Sequence, residues 1–163
     1  MLKKIRIAIK TTKRPLSGSL FEENSTPKAK KEAPETTKLM MEGNWRDDGN
    51  RIYLTYREGE LSGMGQTTTI LSFDKREPNL ITLTRSGAVR TAMIFEKGAR
   101  HLSVYETPLM SFDLAIFTKS VQNTLMENNG LHLLYTVELK GATPEENDFS
   151  LTVLPYFEKP QGQ

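Results

Sequence analysis

The chain has 163 residues, 37% of them apolar, a net charge of +2 and no cysteine. That suffices for one domain with one hydrophobic core, and it excludes disulfides, thiolate zinc centres and cysteine nucleophiles together. No run approaches the roughly 18 apolar residues of a membrane-spanning helix, and basic residues interrupt the apolar ones in Met1–Ile7, so a cytoplasmic protein without a secretory leader is expected.

The first element is a strand over Ile5–Thr12. Ile5, Ile7 and Ile9 alternate with Lys4, Arg6, Ala8 and Lys10, the period of two that gives a strand one wet face. Residues 13–36 differ in kind. They are rich in Pro, Ser, Thr, Lys and Glu, and Leu16, Leu20 and Phe21 are their only large apolar residues. A long polar, mobile loop between the first and second strands is predicted there. Charge is also uneven: residues 1–40 hold ten Lys/Arg against four Glu, net +6, which leaves −4 for the remainder. Such a segment either solvates one face or seeks an acidic partner.

Further strands follow at 37–45, 52–57, 65–73, 80–85, 89–95 and 101–106. Ile52, Leu54 and Tyr56 alternate with Tyr53, Thr55 and Arg57, and Phe112, Leu114 and Ile116 alternate with Asp113, Ala115 and Phe117. The segment 118–126 reads two ways. Val121 and Leu125 are four apart, as in a short helix, yet they also share a strand face with Asn123, and the turn that follows favours the strand. Leu131, Leu133, Tyr135, Val137 and Leu139 form a long alternating run, and Phe149, Leu151 and Val153 close the series.

Turn residues separate the runs at short intervals: Asp47-Asp48-Gly49-Asn50, Ser86-Gly87, Gly98 and Asn128-Asn129-Gly130, types that accept the positive φ of tight hairpins. About ten hairpin-linked strands form a meander, and a meander this long should curl and close, because closure removes both exposed edges. The predicted fold is therefore all-β: a single antiparallel, closed or nearly closed barrel of about 8–10 strands over residues 1–157. Residues 158–163 are read as a flexible tail.

A family resemblance rests on a longer pattern. It begins at Arg85-Ser86-Gly87-Ala88-Val89-Arg90-Thr91-Ala92-Met93-Ile94-Phe95 and continues through Gly98, His101 and Tyr105-Glu106-Thr107. Leu114-Ala115-Ile116-Phe117-Thr118-Lys119-Ser120, Gly130-Leu131 and Tyr135 complete it, with Glu42-Gly43 and Tyr53-Leu54-Thr55-Tyr56 upstream. This resembles the YwiB-like family, small bacterial barrel proteins of unknown function with a calycin-like, lipocalin-like shape. The resemblance covers roughly residues 37–155. The 13–36 segment departs from it, being longer and more polar than the family's usual first connection. The resemblance implies a fold and no activity.

Gly43-Asn44-Trp45 matches the lipocalin pattern in which a tryptophan closes one barrel end against an arginine, and Arg85, in phase with Ile81 and Leu83, is a candidate for that arginine. Tyr56 and Tyr135 lie on the apolar faces of their strands and can offer hydroxyls inside an oily barrel; Met93, Phe95 and Tyr105 extend the same stock of candidate ligand contacts. His101 and Ser103 share a strand face, but spacing gives neither the hydrogen-bond reach nor the orienting acid of a triad. His132 alternates with the Leu131/Leu133 face and should meet solvent. Gly63-Met64-Gly65 lacks the third glycine and the Lys-Ser/Thr of a phosphate loop, and two histidines without cysteine make a poor metal set. No catalytic residue, metal or cofactor is implied. The leading expectation is a non-enzymatic module holding a small, mostly apolar ligand in the barrel. The alternative is a scaffold whose basic segment, residues 3–38, contacts RNA or an acidic protein.

Overall fold

A computed structural model describes residues 2–22, 26–30, 32–58 and 66–157. Ten long antiparallel strands form the wall: β1 (Leu2–Ser17), β3 (Glu35–Asp47), β4 (Arg51–Glu58), β5 (Thr67–Asp74), β6 (Ile81–Gly87), β7 (Arg90–Phe95), β8 (Arg100–Glu106), β9 (Ser111–Thr124), β10 (Gly130–Leu139) and β11 (Glu145–Pro155). A two-residue strand, β2 (Lys28–Ala29), pairs with the end of β1, and one helical turn, α1 (Leu125–Asn128), follows β9. Neighbours in sequence are neighbours in the sheet, and β1 pairs with β11 to close the ring. Closure satisfies the edge donors and acceptors that a ten-strand meander would otherwise present to solvent. No helix among the described residues is long and apolar enough to cross a membrane.

The alternation read from the sequence points inward. Ile5, Ile7, Leu54, Leu71, Phe73, Ile81, Ile116, Leu133 and Leu151 are all essentially inaccessible and belong to one core. Each such side chain contributes about 1.5–3 kcal/mol on burial. The turns are of the expected chemistry. Gly49 has φ +98 and donates to Asp47 Oδ1 at 2.8 Å, while the Asp48 carboxylate accepts from the backbone of Asn50 and Arg51. Gly87 has φ +128, and a Cβ there would lie 2.3 Å from the Gln66 carbonyl oxygen, so only glycine fits the β6–β7 turn.

Two boundaries differ from expectation. The predicted loop over 13–36 begins five residues later: Lys13, Arg14 and Pro15 remain in β1, paired with Asn147, Glu146 and Glu145 of β11. Glu35 and Thr36 already belong to β3. Pairing on both sides carries β1 past the end of its apolar period, so tertiary hydrogen bonding overrides composition. Beyond it, the Leu20 N–H and the Ser19 hydroxyl donate to the buried Glu138 carboxylate at 2.6 and 2.8 Å, and Arg100 donates to the Leu20 carbonyl. The start of this connection is thus fastened to the outer wall, with Leu16 and Leu20 buried.

The second difference lies at 118–126. The strand reading holds to Thr124, and a single helical turn then places Leu125 in the core. The mixed periodicity has a cause. The β9–β10 register shifts at Leu134/Tyr135, so that Ser120 faces Leu134 but Thr118 faces Tyr135. The extra residue is a bulge, and it switches the inward set from Leu114, Ile116 and Thr118 to Val121 and Leu125. The Gly63-Met64-Gly65 segment and the 158–163 tail lie outside the described residues.

Candidate functional site

The barrel is filled at one end and hollow at the other. At the filled end Trp45, Ile52, Leu125 and Val153 border only a surface cleft of about 180 Å³, and Asn123 ties the helical turn down by donating to the Pro78 carbonyl at 2.6 Å. The hollow end opens between the tail of β1, the start of β3 and the β10–β11 turn, onto a cavity of about 550 Å³. That volume lies within the range of small-molecule sites, and ten strands leave room for it.

Most of the cavity wall is apolar: Leu83, Met93, Phe95, Leu114, Leu133 and Phe149 contribute to it. Phe95 and Tyr135 pack with ring centroids 4.7 Å apart at a tilt of 60°. Against this wall stands a polar group of residues. Glu58 and Arg85 form an ion pair at 3.4 Å, with side chains only 6% and 15% exposed. The pair lacks hydrogen-bond geometry: among the described residues Glu58 Oε2 and Arg85 Nε have no hydrogen-bond partner, and neither has the buried Asn147 Nδ2. All three residues line the cavity, and Lys13, Glu35 and Glu145 line it as well. An unsatisfied buried polar atom costs about 1–3 kcal/mol, and three residues that carry one border this cavity.

Of the seven residues singled out from the sequence, Arg85, Met93, Phe95, Tyr105 and Tyr135 line this one cavity. Tyr56 is buried two residues from Glu58, beneath the ion pair rather than in the wall. Trp45 belongs to the opposite end, so the expected tryptophan–arginine contact does not form. Trp45 is the register partner of Lys3, whose ammonium lies 5.8 Å from its ring. Arg85 sits two residues before the end of β6, at the other end of the barrel. Glu58 and Asn147 were missed, although each continues an inward period: Glu58 after Ile52, Leu54 and Tyr56, and Asn147 before Phe149, Leu151 and Val153.

The histidines lie apart from the cavity. His101 Nε2 is 3.1 Å from Glu96 Oε1, and His132 Nε2 is 2.6 Å from Asp148 Oδ1 on the outer face. No three His, Asp or Glu side chains converge as a metal set among the described residues. Lys4, Arg6 and Lys10 stand on the outer face of β1, and Lys10 is directly opposite Lys38 of β3.

Burial pushes the Tyr135 hydroxyl up to about 12 and raises Tyr56 as well, where the Glu58 carboxylate adds to the effect. Below the ordinary tyrosine value of 10 both the folded and unfolded chains keep the proton. Between pH 10 and 12 the unfolded chain ionises while folded Tyr135 does not. Stability should therefore fall over that window by about 1.4 kcal/mol per pH unit for each such tyrosine. Urea unfolding followed across alkaline pH measures the slope, and Tyr135→Phe should reduce it. A native phenolate titration in which all five tyrosines ionise together near the ordinary value would contradict this.

A family model described as a domain of unknown function (DUF1934) matches residues 22–151. The uncharacterized beta-barrel protein YwiB of Bacillus subtilis (strain 168) is 32% identical over 81 residues, covering 50% of this chain and 54% of that protein. The chain thus matches about half the length of this curated relative. The crystal structure of the ywiB protein from Bacillus subtilis superposes with a TM-score of 0.71 at 19% identity, covering 96% of this chain and 94% of that one. At that identity the likeness concerns the fold.

Proposed function

The chain belongs to the DUF1934 family, a domain of unknown function, and we propose that it is a non-enzymatic binding module that takes a small, mostly apolar molecule into its barrel. The observation that carries this reading is the cavity of about 550 Å³, walled mostly by apolar side chains, with Glu58, Arg85 and Asn147 among its lining residues. Sites for small molecules combine these features: apolar area supplies affinity, and a few fixed polar groups supply orientation. His101 and its partner Glu96 are not among the residues that line the cavity. The cysteine-free sequence suits a reducing compartment, so the proposal places the protein in the cytoplasm.

Native mass spectrometry of the untagged protein, purified from its own host, tests the reading. The expected result is a reproducible added mass on the order of a few hundred daltons, the size of molecule such a cavity accepts, lost on unfolding. A bare mass in every preparation, with no rise in melting temperature on adding small-molecule extract from that host, would overturn it.

A further inference from the structure

The polar part of the cavity restricts what the ligand can carry. Glu58 and Arg85 have opposite charges 3.4 Å apart, both side chains almost fully buried and both in the cavity wall. Arg85 Nε and Glu58 Oε2 are buried without a hydrogen-bond partner among the described residues. A guanidinium brings only donors and a carboxylate only acceptors. Side by side, they form a donor–acceptor pair with no net charge. Asn147, whose buried amide nitrogen has no partner among the described residues, and Tyr135, whose hydroxyl keeps its proton, border the same cavity.

We infer that the cavity selects an uncharged group presenting an acceptor and a donor side by side, as a primary amide, a urea or the equivalent edge of a planar heterocycle does, at the end of an apolar body. This rests on the cavity being a ligand site and goes on to name the ligand's chemistry. A carboxylate would gain from Arg85 but face the Glu58 charge at similar range; an ammonium would gain from Glu58 and face Arg85. Both also lose hydration in a largely apolar space, a penalty on charge that is large unless fully compensated. A neutral amide avoids both conflicts. Its oxygen accepts from the guanidinium while its N–H donates to the carboxylate, meeting both halves of an ion pair that lacks hydrogen-bond geometry. Lys13, Glu35 and Glu145, the other charged residues of the cavity, carry a net negative charge and give no preference for an anion.

The test uses three probes with one apolar body: octanamide, octanoate and octylamine, titrated into the full chain at neutral pH and read from the amide resonances around Tyr135 and Asn147. Octanamide is expected to bind about tenfold more tightly than either ion, the size of effect that one hydrogen bond to a charged group supplies. Glu58→Gln should raise octanoate to at least the level of octanamide, and Arg85→Gln should do the same for octylamine. Equal affinity for the three probes, or an ion bound best by the unaltered chain, overturns the inference while leaving the cavity a ligand site. Binding of none of them overturns the cavity reading, and this inference falls with it. The rank order in the unaltered chain decides the matter even if a variant fails to fold.

Discussion

Arg85→Met is expected to lower folding stability by about 3–5 kcal/mol, and adding Glu58→Leu is expected to return most of that loss. The reason lies in burial. Glu58 is 6% exposed and its described countercharge is Arg85. Removing the guanidinium strands a carboxylate against apolar side chains, and breaking a buried pair in this way costs about 3–5 kcal/mol. Replacing both members removes the stranded charge. Well-packed apolar substitutes for buried ion pairs are commonly neutral or stabilising by about 1–4 kcal/mol. The pair is loose, at 3.4 Å and without hydrogen-bond geometry, so its own attraction recovers little of the desolvation. Urea unfolding of the two single variants and the double variant gives the coupling directly. A single variant within about 1 kcal/mol of the parent would mean that solvent reaches Glu58. A double variant less stable than Arg85→Met would mean that the pair holds the barrel together. Either result would remove the argument that this pair is kept for a ligand.

That expectation turns on residues only half visible in the sequence. Period two predicts which side chains point inward, and it did so for Ile5, Ile7, Leu54, Tyr56, Leu133 and Leu151, all buried. The same phase placed Arg85 inside with Ile81 and Leu83. It also runs on to Glu58 and Asn147, where a polar residue in an inward position was the available signal. What the sequence could not supply was end-to-end position. Trp45 and Arg85 are both inward, but Trp45 lies at the filled end and Arg85 at the hollow end, a separation set by where each falls along its strand. The extension of β1 to Ser17 was equally hidden, because Lys13, Arg14 and Pro15 are held by β11 rather than by any preference of their own. Around Lys119 a one-residue bulge reversed the phase, and a strand then imitated the spacing of a helix.

The filled end should respond differently from the hollow one, and Phe73→Ala is the substitution that shows it. Phe73 is 0% exposed, lies in register with Ile52, and does not line the cavity. Its neighbours at that end are strands paired on both sides, with little freedom to collapse into the space. Phenylalanine-to-alanine changes in such cores cost about 3–5 kcal/mol, from lost transfer free energy and from the void left behind. Against a total stability of about 5–15 kcal/mol, the loss should lower Tm by roughly 10 °C, since each 1 kcal/mol moves a domain of this size by about 2–4 °C. At the hollow end the wall already borders open volume, so Met93→Ala should enlarge the cavity at a smaller stability loss and act chiefly on ligand affinity. Thermal and urea unfolding of the pair of variants separates the two ends. A loss below about 1 kcal/mol for Phe73→Ala would show that the filled end repacks freely. The division of the barrel into a rigid plug and a receptive mouth depends on its not doing so: the plug holds ten strands at fixed spacing, and that spacing leaves Arg85 and Glu58 facing a space the side chains do not fill.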